Sequence, residues 1–267
     1  MSEPILTVEG LTQRFGGIVA IDDLSVSVAR GEVFGLIGPN GAGKTTLLNC
    51  VCGVYLPTHG RVVYAGRDIT GRRPHRILTE GIARTFQAAD FFGDMTVEEF
   101  LVLSRLRRQA SSVTASLLGL PSVRRSERAE RSLALDMLDR LELPHLAGER
   151  LSGLPYGARK LLDVGRALLT GADLLLMDEP TSGSSLADRE ALRRLVGEIR
   201  ADGVTTVIVD HDVAFIADVA DRLLAMNFGK ALGAGAPRDV LQRPDVMEAY
   251  VGLETTEPTT AQNAGDR

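Results

Sequence analysis

Residues Gly38 to Thr46 read Gly-Pro-Asn-Gly-Ala-Gly-Lys-Thr-Thr, a spacing that suits a chain of phosphates. Gly38, Gly41 and Gly43 carry no Cβ, so the backbone can curl and turn its N–H groups toward an anion. Pro39, Asn40 and Ala42 fill the loop between them. Lys44 is placed to reach β- and γ-phosphates, Thr45 offers a hydroxyl to Mg²⁺, and Thr46 closes the loop into a helix whose N-terminus adds partial positive charge. Two further clusters could act on that anion. Asp178 and Glu179 close the apolar run Leu174 to Met177, and Asp210-His211-Asp212 follows Val204 to Val209. Asp178 would hold Mg²⁺, through water, because hard cations favour oxygen ligands. Glu179, one residue on, points differently and can orient a water for in-line attack. Taken alone, an acid pair after an apolar strand is as readily a helix N-cap; the glycine-rich loop upstream decides for chemistry. His211 alone says little, but its place at a strand end points to a γ-phosphate contact.

The elements that must position these groups follow from pattern. Glu32 to Ile37 reads as a strand entering the loop, and Leu47 to Cys52 as the helix leaving it. Asp173 to Asp178 is short and nearly all apolar, as a central parallel strand should be. Val204 to Val209 is a second such strand. Gly157 to Leu169 and Ala187 to Asp202 read as helices. In a parallel α/β sheet, ligands gather at the carboxyl ends of strands. Three such ends carry Gln87, after a predicted strand Ile82 to Phe86, Asp178-Glu179, and His211.

Around this core the N-terminal part is strand-rich: Ile5 to Val8, Ile18 to Val28 and Arg61 to Tyr64 predict an antiparallel sheet. Phe15 precedes Gly16-Gly17. It reads as a core residue of an edge strand or as an exposed aromatic able to stack on a base, and the pattern favours the core. From 88 to 156 the texture turns helical. Val97 to Arg108 puts Val97, Phe100, Leu101 and Leu103 on one side; Ala110 to Ser122 is a weak helix or loop; Arg125 to Leu143 carries Leu133, Leu135, Met137, Leu138 and Leu141 and stops before Pro144. The arginines at 105, 107, 108, 124, 125, 128 and 131 are interleaved with Glu127 and Glu130, which favours a solvated helical face over a headgroup or nucleic-acid patch. Lys230 to Leu232 and Arg222 to Met226 predict strands, Pro237 to Gln242 and Pro244 to Tyr250 short helices, and 254–267 a disordered tail. The fold expected is α/β: a P-loop NTPase core with a mostly parallel sheet over 1–87 and 157–236 including the antiparallel β subdomain, an inserted helical subdomain over 88–156, and C-terminal helices over 237–253.

Composition bounds the partners. Of 267 residues, 44% are hydrophobic and 24% charged, which suits a globular core, and the net charge of −5 gives no sign of nucleic acid. Cys50 and Cys52 lie two apart on a predicted helix and face different ways, so they read as small buried residues of a reduced compartment. No apolar run approaches the ~20 residues that span a bilayer, and no signal peptide is evident, so contact with a membrane must run through a partner.

The glycine-rich loop, Gln87 after its strand, Leu154 to Ala158 (LPYGA), Leu174 to Gly183 (LLLMDEPTSG) and Asp210 to Asp212, in this order, resemble the ATPase subunit of an ABC transporter over residues ~5 to 253. The resemblance implies that Phe15 stacks on adenine, reversing the preference above, and that Gln87 senses Mg²⁺ and nucleotide. It implies that Leu154, Pro155, Tyr156 and Gly157 form the signature segment at a helix N-terminus, and that His211 is the switch histidine. ATP and Mg²⁺ are the implied cofactors. Gly81 to Gln87, the helical lobe and Pro244 to Gly252 resemble the ATPases of branched-chain amino acid uptake, whose relatives carry other amino acids, amides or urea. Implied partners are membrane permease subunits, a second ATPase subunit in a homo- or heterodimer and, indirectly, a solute-binding protein. The implied place is the cytoplasmic face of the membrane, bound peripherally.

Two departures stand out. The family signature reads Leu-Ser-Gly-Gly-Gln, whereas here Pro155, Tyr156 and Ala158 replace Ser, Gly and Gln. The loop after the glutamate usually reads Ser-Gly-Leu-Asp-Pro; here it is Ser182-Gly183-Ser184-Ser185-Leu186, without the Asp. These changes keep alive a regulatory nucleotide-binding subunit with little hydrolysis, against which Lys44, Asp178 and Glu179 argue. A soluble ABC ATPase of DNA or the ribosome fits less well with one cassette and an acidic charge, and a GTPase would need an Asn-Lys-x-Asp element that is missing.

Overall fold

The computed structural model describes residues 3–86, 94–106 and 121–254. Strands β1 (Pro4–Phe15) and β2 (Ile18–Ala29) form a hairpin through Gly16-Gly17. Strand β3 (Val33–Ile37) runs into the glycine loop and helix α1 (Lys44–Val51) leaves it. Strands β4 (His59–Tyr64) and β5 (Arg67–Asp68) follow, then helix α2 (Pro74–Glu80) and strand β6 (Ile82–Arg84). Helices α3 (Val97–Leu106), α4 (Pro121–Arg140) and α5 (Tyr156–Leu169) precede strand β7 (Leu174–Asp178). The chain closes with α6 (Leu186–Ala201), β8 (Thr205–Val209), α7 (Val213–Val219), β9 (Arg222–Asn227), β10 (Lys230–Gly235), α8 (Pro237–Leu241) and α9 (Pro244–Glu254).

Two sheets result. One is antiparallel, in the order β2-β1-β4-β5; the other runs β10-β9-β3-β8-β7-β6 and is parallel except for the edge strand β10. Every residue of β3 and β8 is buried, which is why these strands read as unbroken apolar runs. Side chains alternate across the sheet. Val33, Ile37, Leu175 and Met177 join a core with α3 to α7, whereas Phe34, Leu36, Leu174 and Leu176 join a second core with α1 and the antiparallel sheet. The main sheet therefore separates two apolar layers and holds its carboxyl edge between them.

Several expectations shift. β6 ends at Arg84, not Phe86: Thr85 N–H still bonds Leu176 O, but Phe86 N–H is taken by the Asp163 carboxylate of α5, which draws the chain off the ladder. Gln87 lies outside the described residues. In α4 the buried stripe is Ala134, Met137 and Leu138, continued by Leu141 just past the helix end, so Leu133 and Leu135 point outward; small Ala134 occupies the phase the leucines would have claimed. Leu103 is also exposed. Helices α2 and α7, of seven residues each, had no periodicity long enough to announce them. Among the arginines, exposed Arg131 pairs with Glu98, whereas Arg105 pairs with buried Glu130 and also donates to Leu169 O, so that pair packs between helices and is not part of a solvated face. Arg107 and Arg108 lie outside the described residues, as do 255–267 of the predicted tail.

Candidate functional site

Because β3, β8 and β7 are neighbours, their carboxyl ends bring together the glycine loop, His211 and the Asp178-Glu179 pair. The loop needs its glycines. Gly38 has φ 154° and a Cβ there would sit 2.3 Å from Met226 O; Gly43 has φ 100° and a Cβ would meet Ala20 O at 2.4 Å. Gly43 caps α1 with no side chain of its own, and no acid occupies the first turn, so the N–H groups of Lys44, Thr45 and Thr46 keep their positive end for an anion. Lys44 is buried. Its Nζ donates to Gly38 O at 2.6 Å and to Pro39 O at 2.9 Å. Burial holds its pKa below the usual lysine value, while Glu179, Asp178 and Asp210 pull the other way.

Thr45, Asp178 and Glu179 line one cavity of about 350 Å³ together with Arg84, Tyr156 and Lys160. The residues fit a magnesium ion. Asp178 Oδ1 is buried with no hydrogen-bond partner among the described residues, and a threonine hydroxyl shares the cavity, the hard oxygen donors that Mg²⁺ takes. Asp178 Oδ2 is held by Arg84 at 2.7 Å. Glu179 has φ 48°, a left-handed conformation that a non-glycine residue adopts only when its surroundings impose it. Two contacts do so: its N–H donates to Val209 O at 2.7 Å, and its carbonyl accepts Lys160 Nζ at 2.8 Å.

His211 follows β8 with its side chain 58% exposed and Nδ1 3.5 Å from Asp210 Oδ1. Asp210 is fully buried and accepts from Thr181 N–H, Thr181 Oγ1 and Asp212 N–H. That network ties the loop after Glu179 to the histidine's strand end. Phe15 lies at the end of β1, 42% exposed, edge-on to Tyr55 with ring centroids 5.1 Å apart. It is a surface aromatic, not a core one. Leu154 is buried, Pro155 caps α5, Tyr156 opens that helix, and Gly157 packs against the Asp188 side chain. The α5 N-terminus has no side-chain cap, and Ala158, where the family has Gln, is buried. Tyr156 lies under Lys160, with 5.4 Å from Nζ to the ring centroid, and beside Gly183.

A family profile described as "ABC transporter" matches residues 21–182. The chain belongs to the ABC transporter family. As an ABC ATPase it is 36% identical over 253 residues to the high-affinity branched-chain amino acid transport ATP-binding protein BraF of Pseudomonas aeruginosa, covering 94% of this chain and 99% of that one. LivG of Escherichia coli, of the same description, is 35% identical over 253 residues, with the same coverage. Among solved structures, the ADP conformation of MJ1267, an ATP-binding cassette of an ABC transporter, superposes with a TM-score of 0.82 at 32% identity, covering 94% of this chain and 100% of that one. The ABC cassette is thus an ATP-binding, ATP-hydrolysing component of a membrane transporter, and no helix among its described residues is long and apolar enough to cross a membrane.

Sequence reasoning passed over Arg84, Asn49, Lys160 and the Thr181–Asp210 pair. Arg84 left one signal: a charged residue in a short strand that is otherwise buried must find a partner. Lys160 left none, since a lysine on a helix is ordinarily solvated.

Proposed function

We propose that this chain powers uptake of branched-chain amino acids, or of related amino acids, amides or urea, as one of two ATPase subunits at the cytoplasmic face of the membrane. The observation that carries it is similarity to BraF and LivG along nearly the whole length of all three chains. A solute-binding protein would deliver the solute to the permease from the far side. The inserted lobe (88–156) would carry the signature segment, and the segments 1–87 and 157–236 the nucleotide.

Asp178 and Thr45 would hold the Mg²⁺ that accompanies ATP, and the ion would supply charge withdrawal from the phosphates. The chain's own residues supply the rest. Lys44 would exchange its two loop carbonyls for phosphate oxygens, whose negative charge offsets the burial that lowers its pKa. Glu179 would align the attacking water, His211 would touch the γ-phosphate, Gln87 would sense the metal, and Phe15 would stack on adenine. The site is completed by a partner's signature segment, and this chain's Leu154 to Gly157 serve the partner's site. Closure and its release by hydrolysis would drive the permease as rigid bodies. An open groove of about 570 Å³, lined by Ile77, Leu78, Phe86, Phe100 and Leu103, offers an apolar seat for a permease segment beside the strand that enters the site.

Because Pro155 and Ala158 supply no side-chain donors, the site that this signature completes would turn over more slowly. The test is ATP hydrolysis by the purified chain against its own concentration, with Glu179→Gln as control, followed by uptake of labelled leucine and of urea in vesicles carrying the permease. A rate per subunit that rises with concentration and disappears in Glu179→Gln supports a competent homodimer. A flat rate near zero with intact ATP binding favours the regulatory subunit, and uptake of neither solute overturns the substrate class.

A further inference from the structure

Arg84 is buried at the end of β6, three residues before Gln87, in a pocket that a hydrophobic residue could have filled. Its guanidinium instead reaches two other elements and the ring of a near neighbour in the chain. Nη2 donates to Asp178 Oδ2 at 2.7 Å, Nη1 donates to Asn49 Oδ1 on α1 at 2.5 Å, and the Phe86 ring lies 5.4 Å from its central carbon. Asp178 N–H donates to Thr85 Oγ1 at 3.2 Å, so backbone and side chain of Asp178 are both fastened to the same strand end. The strand end is fastened in turn: Arg166 Nη2 donates to Arg84 O at 3.0 Å, and Asp163, paired with Arg166 at 2.6 Å, takes Phe86 N–H. One carboxylate oxygen of Asp178 is thereby fixed, and the other, Oδ1, is left buried and unpartnered among the described residues.

We propose that Arg84 is the positioning residue of the metal site: it clamps Asp178 Oδ2 between β6 and α1 so that Oδ1 alone faces the magnesium of Mg-ATP. This rests on the ATPase reading above. The physical argument has three steps. A free carboxylate beside a buried lysine would swing toward it, and Lys44 feels the Asp178 charge directly. A planar guanidinium anchored by one nitrogen on Asn49 presents the other to Asp178 Oδ2 at a fixed angle, which a point charge on a flexible stem cannot do. Partners that orient a metal-binding carboxylate from behind typically contribute 10–100-fold to metal affinity. Arg84 also offers both of its used nitrogens to separate elements, so Asn49 fixes the fork on the helix that begins at Lys44.

The test separates metal from nucleotide. In the Glu179→Gln background, binding of mant-ATP is titrated with Mg²⁺ present and with EDTA. The ratio of the two dissociation constants measures how much the metal adds. Arg84→Met is expected to leave the EDTA affinity as it is and to cut the ratio by roughly tenfold or more. Arg84→Lys, which reaches Asp178 or Asn49 but not both, is expected to fall between, and Asn49→Ala to show a smaller loss of the same kind. Should Arg84→Met fail to fold by circular dichroism, the Lys and Ala variants decide by themselves. An unchanged ratio, or equal weakening with and without metal, overturns the assignment. Absence of any mant-ATP binding by the parent protein would instead overturn the ATPase reading on which it stands.

Discussion

Lys160 Nζ donates to the backbone carbonyl of Glu179 at 2.8 Å, so the helix that opens with the signature segment grips the residue that would align water in the same chain's site. The grip acts on backbone and not on carboxylate, and it falls on a residue whose φ of 48° costs about 1–3 kcal/mol to maintain. Movement at the α5 N-terminus must therefore reach Glu179. Lys160→Met is expected to lower kcat by about tenfold to a hundredfold, the worth of one hydrogen bond to a charged group, with KM for ATP little changed. Steady-state hydrolysis checks it, and Lys160→Arg should recover part of the loss.

Glu179→Gln keeps the shape and the backbone bonds but removes the proton acceptor. Hydrolysis is expected to fall by about 10²–10⁴-fold while ATP binding persists. Single-turnover assays and equilibrium binding separate the two.

Lys44→Met removes an ammonium that burial already disfavours. ATP affinity is expected to fall by about 1.5–3 kcal/mol, or roughly tenfold to a hundredfold, while the thermal midpoint of the nucleotide-free protein does not fall. Lys44 has its folded pKa below the unfolded value, so the unfolded chain holds the extra proton in the window beneath 10.5, and stability attributable to this residue rises with pH there. Melting curves of both proteins at pH 8 and pH 10 check the sign: the gap should shift toward the parent as pH rises.

Burial pushes the thiols of Cys50 and Cys52 up to about 11. Both are free and buried. At pH 8 only about one thiol in a thousand is ionised, so iodoacetamide is expected to label them only when the chain unfolds; mass spectrometry before and after denaturant reads this. The folded state keeps protons between about pH 9 and 11 that the unfolded chain has released, so these groups make unfolding easier as pH climbs through that window.

Thr181→Val takes a hydroxyl and a donor from fully buried Asp210. A loss of about 1–3 kcal/mol in unfolding free energy is expected, and with it a weaker hold on the strand end that carries His211. Urea denaturation measures the first, and the rate of ATP hydrolysis the second.

The glycine loop, the strand-end acids and the central strands were legible because each depends on local chemistry: positive φ at Gly43, a continuous apolar run at Leu174 to Met177, a lysine at a helix start. The family motifs supplied Phe15, whose own surroundings in sequence pointed toward the core. What stayed hidden was relational. Nothing near Lys160 announces a carbonyl nineteen residues away, and nothing near Arg84 announces Asp178 across the sheet. Leu133 and Leu135 misled because hydrophobicity was read without phase; Ala134, the small residue between them, is the one that packs. The seven-residue helices α2 and α7 are held by tertiary contacts that a window of sequence does not contain.

Lys44 already satisfied by Gly38 and Pro39 has a consequence for selectivity among small anions. With both carbonyls accepting from it, the buried ammonium is not left dangling. An anion that draws Nζ away from these carbonyls must replace their hydrogen bonds, and a triphosphate can do so while also accepting from the N–H groups along the loop. Engagement of Lys44 is thus an exchange of hydrogen bonds and not a simple gain, and the more phosphate oxygens an anion brings to the loop, the more fully the exchange is offset.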